Sequence, residues 1–493
     1  GDCHTHLDQY PPAEMPEILD RARESGVAFA VCAGTTLKST KDCIDLAEEH
    51  GPLYAGVGIH PMEAREPVTE EIYAELERMA KSSAKVVCIS EVGLDYLPAS
   101  PDHDIQDQVF REHIRLARSL GLPVIFHSRE SHSAVFKVLR EENAGEMVVL
   151  REEGSLAEEF AKADHILDSS YFIPYVANAP MEPSAAVASW EDGKLTVWSG
   201  DRSPFGVRDE LARNLDIRED QVRVIAPEIG GSFGTKGTVS IAYEAALLSK
   251  AAGRPVRVVN SRAEEFMWGT VRPATLIEIR SGFQADGKIV AWESTAYHTG
   301  DLAIRGQRGA DTPYNTPTVR IAVADCKSPL KSGSYRSLGC AANHFAREVH
   351  IDEIAASLHM DPVEFRLMNL THPRLRRVLS QTADRFDWDS RRDEPSSGIG
   401  VAIGYDAGSY VAECVELVVQ RKVVRVQRVV AGIDCGMVVN PEGVRNQVEG
   451  SIIMGMGTAL REEVEFDAGR LLNPVFSRYR VPRINDAPQI EVV

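Results

Sequence analysis

The chain lacks every cysteine pattern that would hold a cluster or a structural metal. Its eight cysteines are scattered, with no CxxC pair among them, so neither a zinc ribbon nor an iron–sulfur cluster is encoded. Reduced, partly buried thiols are expected. No run of about 18 apolar residues is present, and no basic stretch precedes an apolar one at the N-terminus, so no membrane span or export signal is read and cytoplasm is the expected compartment. Positive charge is in deficit: 54 Lys and Arg stand against 73 Asp and Glu, a formal charge of −19. A nucleic-acid backbone is a poor main partner for such a chain, because its binding depends on Lys and Arg releasing counterions. What is there, 43% hydrophobic and 26% charged residues over 493 positions, is the composition of a globular protein with room for roughly two to four domains.

From Asp2 to about Ala144 a rhythm repeats. Apolar runs at Val27–Ala33, Leu53–Ile59, Lys85–Ile89 and Leu122–Phe126 are separated by amphipathic stretches such as Met15–Ser25 and Ile105–Ser119. The alternation predicts βα units on a parallel sheet. With the opening DCHTHLD counted as a strand the total is five, whereas a closed barrel of this kind needs eight, so the fold class expected here is α/β, a partial TIM-type barrel. Residues i and i+2 of a strand face the same way, so His4 and His6 project together and make a pair suited to a divalent metal. Glu91 offers a bridging carboxylate and His127 a further nitrogen, each just past an apolar run. Such a set suits metal-assisted hydrolysis.

DCHTHLD, GIHP, EVGLDY, the helix QDQVFREHIRLARSLGLP and HSRE together resemble the TatD-type metal-dependent hydrolases over residues 1–147. The resemblance implies that His4, His6, Glu91 and His127 are metal ligands and that the ions are Mg, Mn or Zn. It also implies hydrolysis of a phosphodiester or related bond, with nucleic acid a partner only through that activity. The family's later HCFSG-like histidine and its late-strand aspartate have no counterpart after Leu150, so hydrolase activity is expected to be weak or absent.

After Leu150 the rhythm changes. An acidic, helix-prone REEGSLAEEFAKADHIL leads into short β-rich runs (Ala186–Ala188, Leu195–Trp198, Val222–Ile225, Pro255–Val259, Thr275–Ile279, Ile289–Trp292) mixed with helices such as Ser240–Ala252 and Ala346–Ala356. That mixture reads as α+β. Arg376–Pro395 is charged and irregular and predicts a loop between two subdomains, giving expected domains 1–147, 148–385 and 396–493. Gly230 and Gly231 follow the strand-like VRVIAP and precede SFGTK, a place where backbone can approach a ligand and offer N–H groups to an anion. The pattern fits neither a P-loop nor a Rossmann fingerprint.

The stretches HILDSSYFIPYVANAPMEP, WSGDRSPFG, VRVIAPEIGGSFGTK, GSYRSLG and DCGMVVNPEGVRNQVEG resemble the molybdopterin-binding large subunit of the xanthine dehydrogenase and aldehyde oxidase family, of the isoquinoline 1-oxidoreductase and nicotinate dehydrogenase type, over residues 148–493. The resemblance implies a molybdenum–molybdopterin cofactor with Gly230, Gly231, Ser232 and Phe233 against it, and Phe233 beside the path of a small-molecule substrate. It places Arg336 facing the substrate or its developing negative charge, where a fixed guanidinium stabilises an oxyanion. Gln447 would donate to the pterin through its amide. Electrons would leave through a separate [2Fe–2S] subunit. Arg202 stands where the family usually has Gln, and the family's general-base glutamate, in a GxGE-like segment beyond APQIEV, has no counterpart among the residues present. The expected function is therefore a molybdenum hydroxylase large-subunit fragment acting on an N-heterocycle or aldehyde. A TatD-like hydrolase or deoxyribonuclease, and a non-catalytic fusion product, are the alternatives.

Overall fold

The computed structural model describes residues 2–237, 240–300, 306–391, 398–467 and 469–493, with main chain only for residues 3, 132, 133, 136, 140 and 143–147. The chain forms two compact units, Gly1–Ala144 and Gly145–Val493. No described helix is long and apolar enough to cross a membrane.

In the first unit the strands β1 (Asp2–Thr5), β2 (Ala30–Ala33), β3 (Leu53–Val57), β4 (Val86–Asp95) and β5 (Val124–Arg129) alternate with the helices α1 (Met15–Glu24), α2 (Leu37–Glu49), α3 (Glu70–Lys81), α4 (His103–Leu120) and α5 (His132–Asn143). All neighbouring strands are parallel, and their order in the sheet is their order in the chain. Each crossover therefore steps to the next position in one direction, which is how half of a barrel is laid down. Helix starts are set locally: Thr36, Thr69 and Asp102 accept from the backbone N–H groups of α2, α3 and α4, as N-caps should. α4 buries Gln106, Val109, Phe110, His113, Ile114 and Ala117 at helical spacing, against a core that includes Leu53, Val57, Ile89 and Leu94.

Two strands differ from the sequence expectation in a way that matters for the site. β4 and β5 continue through their polar residues, so Glu91 and His127 lie inside strands and not beyond them. The pairing that extends them sets Gly93 opposite His127. Gly93 has φ +142°, and a Cβ there would lie 2.1 Å from the His127 carbonyl oxygen. Only glycine allows β4 and β5 to approach at this point.

The second unit is α+β, built on three larger sheets. The first sets Ala144–Glu153, Thr318–Cys326, Ile289–Thr299, Thr275–Phe283 and His165–Ile173 side by side, with Trp292, Val319 and Ile321 in a core shared with the helix Cys340–Ser357. Lys194–Ser199 and its neighbours make a second sheet, packed on Pro204–Leu215 and Ser240–Ala252. The third orders Gly398–Asp406, Ser409–Gln420, Val423–Asp434 and Gln489–Val492.

One expectation fails here. Residues 376–391 do not form a loop: Pro373–Phe386 and Trp388–Arg391 are helical, while 392–397 lie outside the described residues. The charges concealed an apolar face, since Leu375, Val378, Leu379, Thr382 and Phe386 are buried at i, i+3, i+4 and i+7 spacings. The acidic stretch after Leu150 is helical at Leu156–Lys162, between a strand that ends at Glu153 and one that begins at His165.

Candidate functional site

The first unit gathers four histidines around one carboxylate. Glu91 Oε2 lies 3.1 Å from His4 Nε2, 3.5 Å from His6 Nε2 and 3.6 Å from His60 Nε2, while Oε1 lies 3.1 Å from His127 Nδ1. His4, His6, Glu91 and His127, the four residues picked from the sequence, therefore meet, and Glu91 belongs to two ligand triads, His4–His6–Glu91 and His60–Glu91–His127. Burial pushes Glu91 upward. The hydrogen bond to His127 and the fields of His60 and His4 outweigh it and hold the carboxyl at about 2.

Outer hydrogen bonds decide what each ring can do. His6 Nδ1 lies 3.2 Å from the Ala33 carbonyl oxygen, so Nδ1 carries the proton and Nε2 turns a lone pair to the cluster, as metal ligation requires. His127 places Nε2 2.9 Å from Asp95 Oδ2, leaving Nδ1 for an ion. Its carboxylate partners, Glu91 first, raise its pKa. His60 has the opposite tautomer: its Nδ1 accepts from Met62 N at 3.1 Å, so its Nε2 carries hydrogen and presents a donor, not a lone pair. Burial lowers His60 to about 4. The donor set thus fits a divalent ion at His4, His6, Glu91 and His127, with His60 as a hydrogen-bond donor beside it.

Two functional residues were missed by residue choice, although their motifs were noticed. His60 is the histidine of GIHP, and Asp95 is the aspartate of EVGLDY. Asp95 is fully buried. Burial raises it, yet Ser100, Arg129, the Leu97 amide and His127 hold it well below the carboxylate range. Period-two counting along β4 from Glu91 reaches Gly93 and then Asp95, a signal that was available.

In the second unit the residues read from the sequence lie in three ties. Gly230 and Gly231 have φ of +61° and +82°, and Phe233, with φ 52°, is 38% exposed. Lys236 Nζ donates to the Ile229 carbonyl at 2.5 Å, and Arg202 donates to the carbonyls of Gly234 and Thr235, each at 2.9 Å. Arg336 then carries the loop outward: its amide donates to the Phe233 carbonyl at 2.8 Å, and its Nη2 donates to the Gln447 carbonyl at 2.8 Å and to Oε1 at 3.1 Å. Arg336 and Gln447 line a cavity of about 490 Å³ with Asn440 and Ser451. With Oε1 of Gln447 already accepting from Arg336, both N–H groups of that amide remain for a ligand. Ser232 takes part through its carbonyl, which accepts from Thr235 N at 3.0 Å.

Arg202, Gly234, Lys236 and Gly237 line a second cavity of about 760 Å³. Both volumes suit a cofactor or small ligand. Sequence reading missed Glu182, whose carboxylate lies where a Cβ on Gly230 would be, 1.9 Å away. It also missed Asn178, which donates to the carbonyls of Phe233 and Ser334 at 2.7 and 3.0 Å. The close approach to Gly230 is thus made by a side chain of the protein itself.

These two constructions correspond to two known classes. Residues 1–184 match the family described as TatD related DNase, and residues 139–370 and 292–488 each match a molybdopterin cofactor-binding domain. Over 145 residues, 29% of this chain, the sequence is 36% identical to an uncharacterised metal-dependent hydrolase, YabD, of Bacillus subtilis, covering 56% of it. Over 398 residues, 73% of this chain, it is 31% identical to a nicotinate dehydrogenase subunit of Pseudomonas putida, covering 33% of that protein. The fold matches quinoline 2-oxidoreductase from Pseudomonas putida 86 with a TM-score of 0.65 at 18% identity, over 71% of this chain and 72% of that one. The chain is similar to TatD-type hydrolases in its first part and to molybdopterin-binding domains in the rest, which supports a fusion of the two. It spans about a third of the dehydrogenase subunit and about half of the hydrolase.

Proposed function

We propose that the second unit serves as the molybdopterin-binding part of a molybdenum hydroxylase that oxidises a small N-heterocycle or aldehyde. The observation that supports this most is the tie from the Gly230–Lys236 loop through Arg336 to Gln447, which joins three separated motifs, two of them at one cavity. When bound, the molybdenum–molybdopterin group would supply two-electron oxidation with oxygen drawn from water. Gly230, Gly231, Ser232 and Phe233 would give it a backbone edge, and Gln447 would donate its amide N–H to the pterin. The exposed Phe233 ring offers a face for a flat substrate. Arg336 holds Gln447 in place and sets a guanidinium near the charge that develops on substrate. Electrons would pass to a separate [2Fe–2S] subunit, since no cysteine cluster pattern is present here. The free thiols among the described residues suit a reducing compartment, the cytoplasm. The test is expression with molybdenum cofactor biosynthesis, followed by metal and pterin analysis. About one molybdenum per chain is expected, reduced severalfold in Gln447→Ala; metal-free protein overturns the reading.

A second reading is favoured by the convergence of His4, His6 and His127 on the two carboxylate oxygens of Glu91. On it the first unit, a part of a TIM-type barrel, hydrolyses phosphodiesters, DNA included, with Mg, Mn or Zn. His4 and His6 with Glu91 would hold one ion, and His127 with Glu91 a second, while His60 donates to the substrate. Bound there, the ions would supply Lewis-acid activation of phosphate and water. The extents 1–147, 148–385 and 396–493 then divide the two chemistries. Hydrolysis of an activated phosphodiester that needs added Mn²⁺ and disappears in His4→Ala/His6→Ala supports this reading. Activity indifferent to metal refutes it, and a protein with neither activity is a non-catalytic fusion.

A further inference from the structure

Cys32 lies in β2 and Cys43 in the second turn of α2, and both are fully buried. Their sulfurs are 3.0 Å apart, with Cys43 donating to Cys32, which leaves about 1 Å to travel to the bond length of a disulfide. The residues that follow Cys32 are the ones on which the cluster around Glu91 hangs. The Ala33 carbonyl faces His6 Nδ1 at 3.2 Å. The Gly34 carbonyl accepts from the Glu91 amide at 3.0 Å, and the Thr35 carbonyl from the His60 amide at 2.9 Å. Thr36 then caps α2, which carries Cys43. Three of the cluster's five side chains are thus positioned by a three-residue segment with one thiol immediately before it and the other in the helix it leads into.

We propose that Cys32 and Cys43 are a dithiol that closes to a disulfide, and that closure resets the Ala33–Thr35 segment and with it the cluster around Glu91. The oxidant is a hydroperoxide, small enough to enter a packed interior. The Cys32 sulfur attacks one peroxide oxygen, the O–O bond breaks, and a sulfenic acid forms as the other oxygen leaves and takes up a proton. The Cys43 sulfur then attacks the Cys32 sulfur, the S–S bond forms, the S–O bond breaks, and water leaves. Two thiols lose two electrons and two protons, and one hydrogen peroxide becomes two waters. The environment favours Cys32 as the first nucleophile: the Cys43 hydrogen bond lowers its pKa against burial and the nearby Asp8 carboxylate, with help from the Asp8 and Leu7 amides, whereas Cys43 is pushed far up. The link to metal binding rests on the hydrolase reading; the disulfide and the movement of the segment do not.

The full chain, treated with hydrogen peroxide while folded and digested without reductant, should yield a Cys32–Cys43 linked peptide that dithiothreitol separates. Cys43→Ala should instead leave a sulfenic acid on Cys32 that dimedone traps. Hydrogen exchange at the His60 and Glu91 amides should change by about fivefold or more on oxidation and return on reduction, because those amides donate to the segment. Absence of the linked peptide overturns the proposal, and so does a linked peptide with exchange at both amides unmoved. Mn²⁺ titration separates the two ideas. Reduced protein that binds no Mn²⁺ removes the hydrolase reading, and the linkage and exchange results still decide the disulfide.

Discussion

The two units build their sites from opposite materials. Around Glu91 the parts are side chains: four imidazoles converge on one carboxylate, and main chain serves only to orient them. Around Gly230–Lys236 the parts are main chain. The cations Lys236, Arg202 and Arg336 are occupied with the carbonyls of Ile229, Gly234, Thr235 and Gln447. Charge in the first unit gathers in one cluster around Glu91, whereas much of it in the second is used to hold a loop in shape. A side-chain cluster should therefore fail through loss of a functional group, and a backbone cradle through gain of a Cβ. Among the described residues the backbone records the same contrast: the first unit has one non-glycine residue at positive φ, Glu130, while Phe233, Lys236, Ser337 and Leu338 have it in the two joined loops of the second.

The largest effect should come from Glu91→Ala. His4, His6 and His127 lose the carboxylate they share, and since loss of an outer partner alone typically lowers metal affinity 10–100-fold, roughly 1000-fold weaker Mn²⁺ binding is expected. Titration calorimetry checks it. If affinity falls no further than in His4→Ala, Glu91 does not bridge. In the second unit the matching change is Gly234→Ala, at φ +118° with a new Cβ only 2.3 Å from the Ser334 carbonyl oxygen. A stability loss of about 2–3 kcal/mol is expected from strain and clash, read by urea denaturation. An unchanged midpoint would mean that the cradle yields easily.

The same contrast explains what could be read from the sequence. The half-barrel was legible because alternation of apolar runs and amphipathic helices is local, and His4, His6, Glu91 and His127 were legible because strand ends in a βα sheet converge. Which nitrogen of each imidazole faces inward was not, because it depends on Ala33, Met62 and Asp95, residues remote in the chain or uninformative by type. In the second unit the motifs were visible, but their joining through Arg336 was not. That contact spans 111 positions, and no period or spacing encodes it. The helix Pro373–Phe386 was concealed for a plainer reason: its exposed arginines dominate the composition while the buried stripe of Leu375, Leu379 and Phe386 does the packing.

Carboxylates sharpen the comparison at intermediate size. Glu91 is held at about 2 by its imidazoles, whereas burial pushes Glu462, which accepts from Tyr479 at 3.0 Å, up to about 7. A raised folded-state value means that the folded chain retains a proton the unfolded chain has released. The stabilisation is complete below the unfolded value of 4.5 and is lost as pH rises toward 7. Wild type should therefore lose about 2–3 kcal/mol more than Glu462→Gln between pH 4.5 and 7.5, followed by denaturation at several pH values. Parallel curves for the two proteins would place the proton elsewhere.

The smallest effect tests whether strain in the second unit is stored or neutral. Ser337 and Leu338 hold φ of 72° and 53° in succession, directly after Arg336 and two residues before the helix Cys340–Ser357. A left-handed conformation costs an ordinary residue about 1–2 kcal/mol, and glycine escapes that cost at an entropic penalty of about 0.5–1 kcal/mol in the unfolded chain. Relief of that strain in Ser337→Gly should stabilise the protein by about 0.5–1 kcal/mol, set against what the serine side chain contributes. It does contribute something: its hydroxyl donates to the carbonyl of Arg336, the residue that ties the loop to Gln447. A gain in urea midpoint with unchanged cofactor retention would make the turn a cost of connecting the loops. A loss would mean that the Ser337 hydroxyl fixes Arg336 by more than the strain takes away, and the cradle would then depend on a side chain after all.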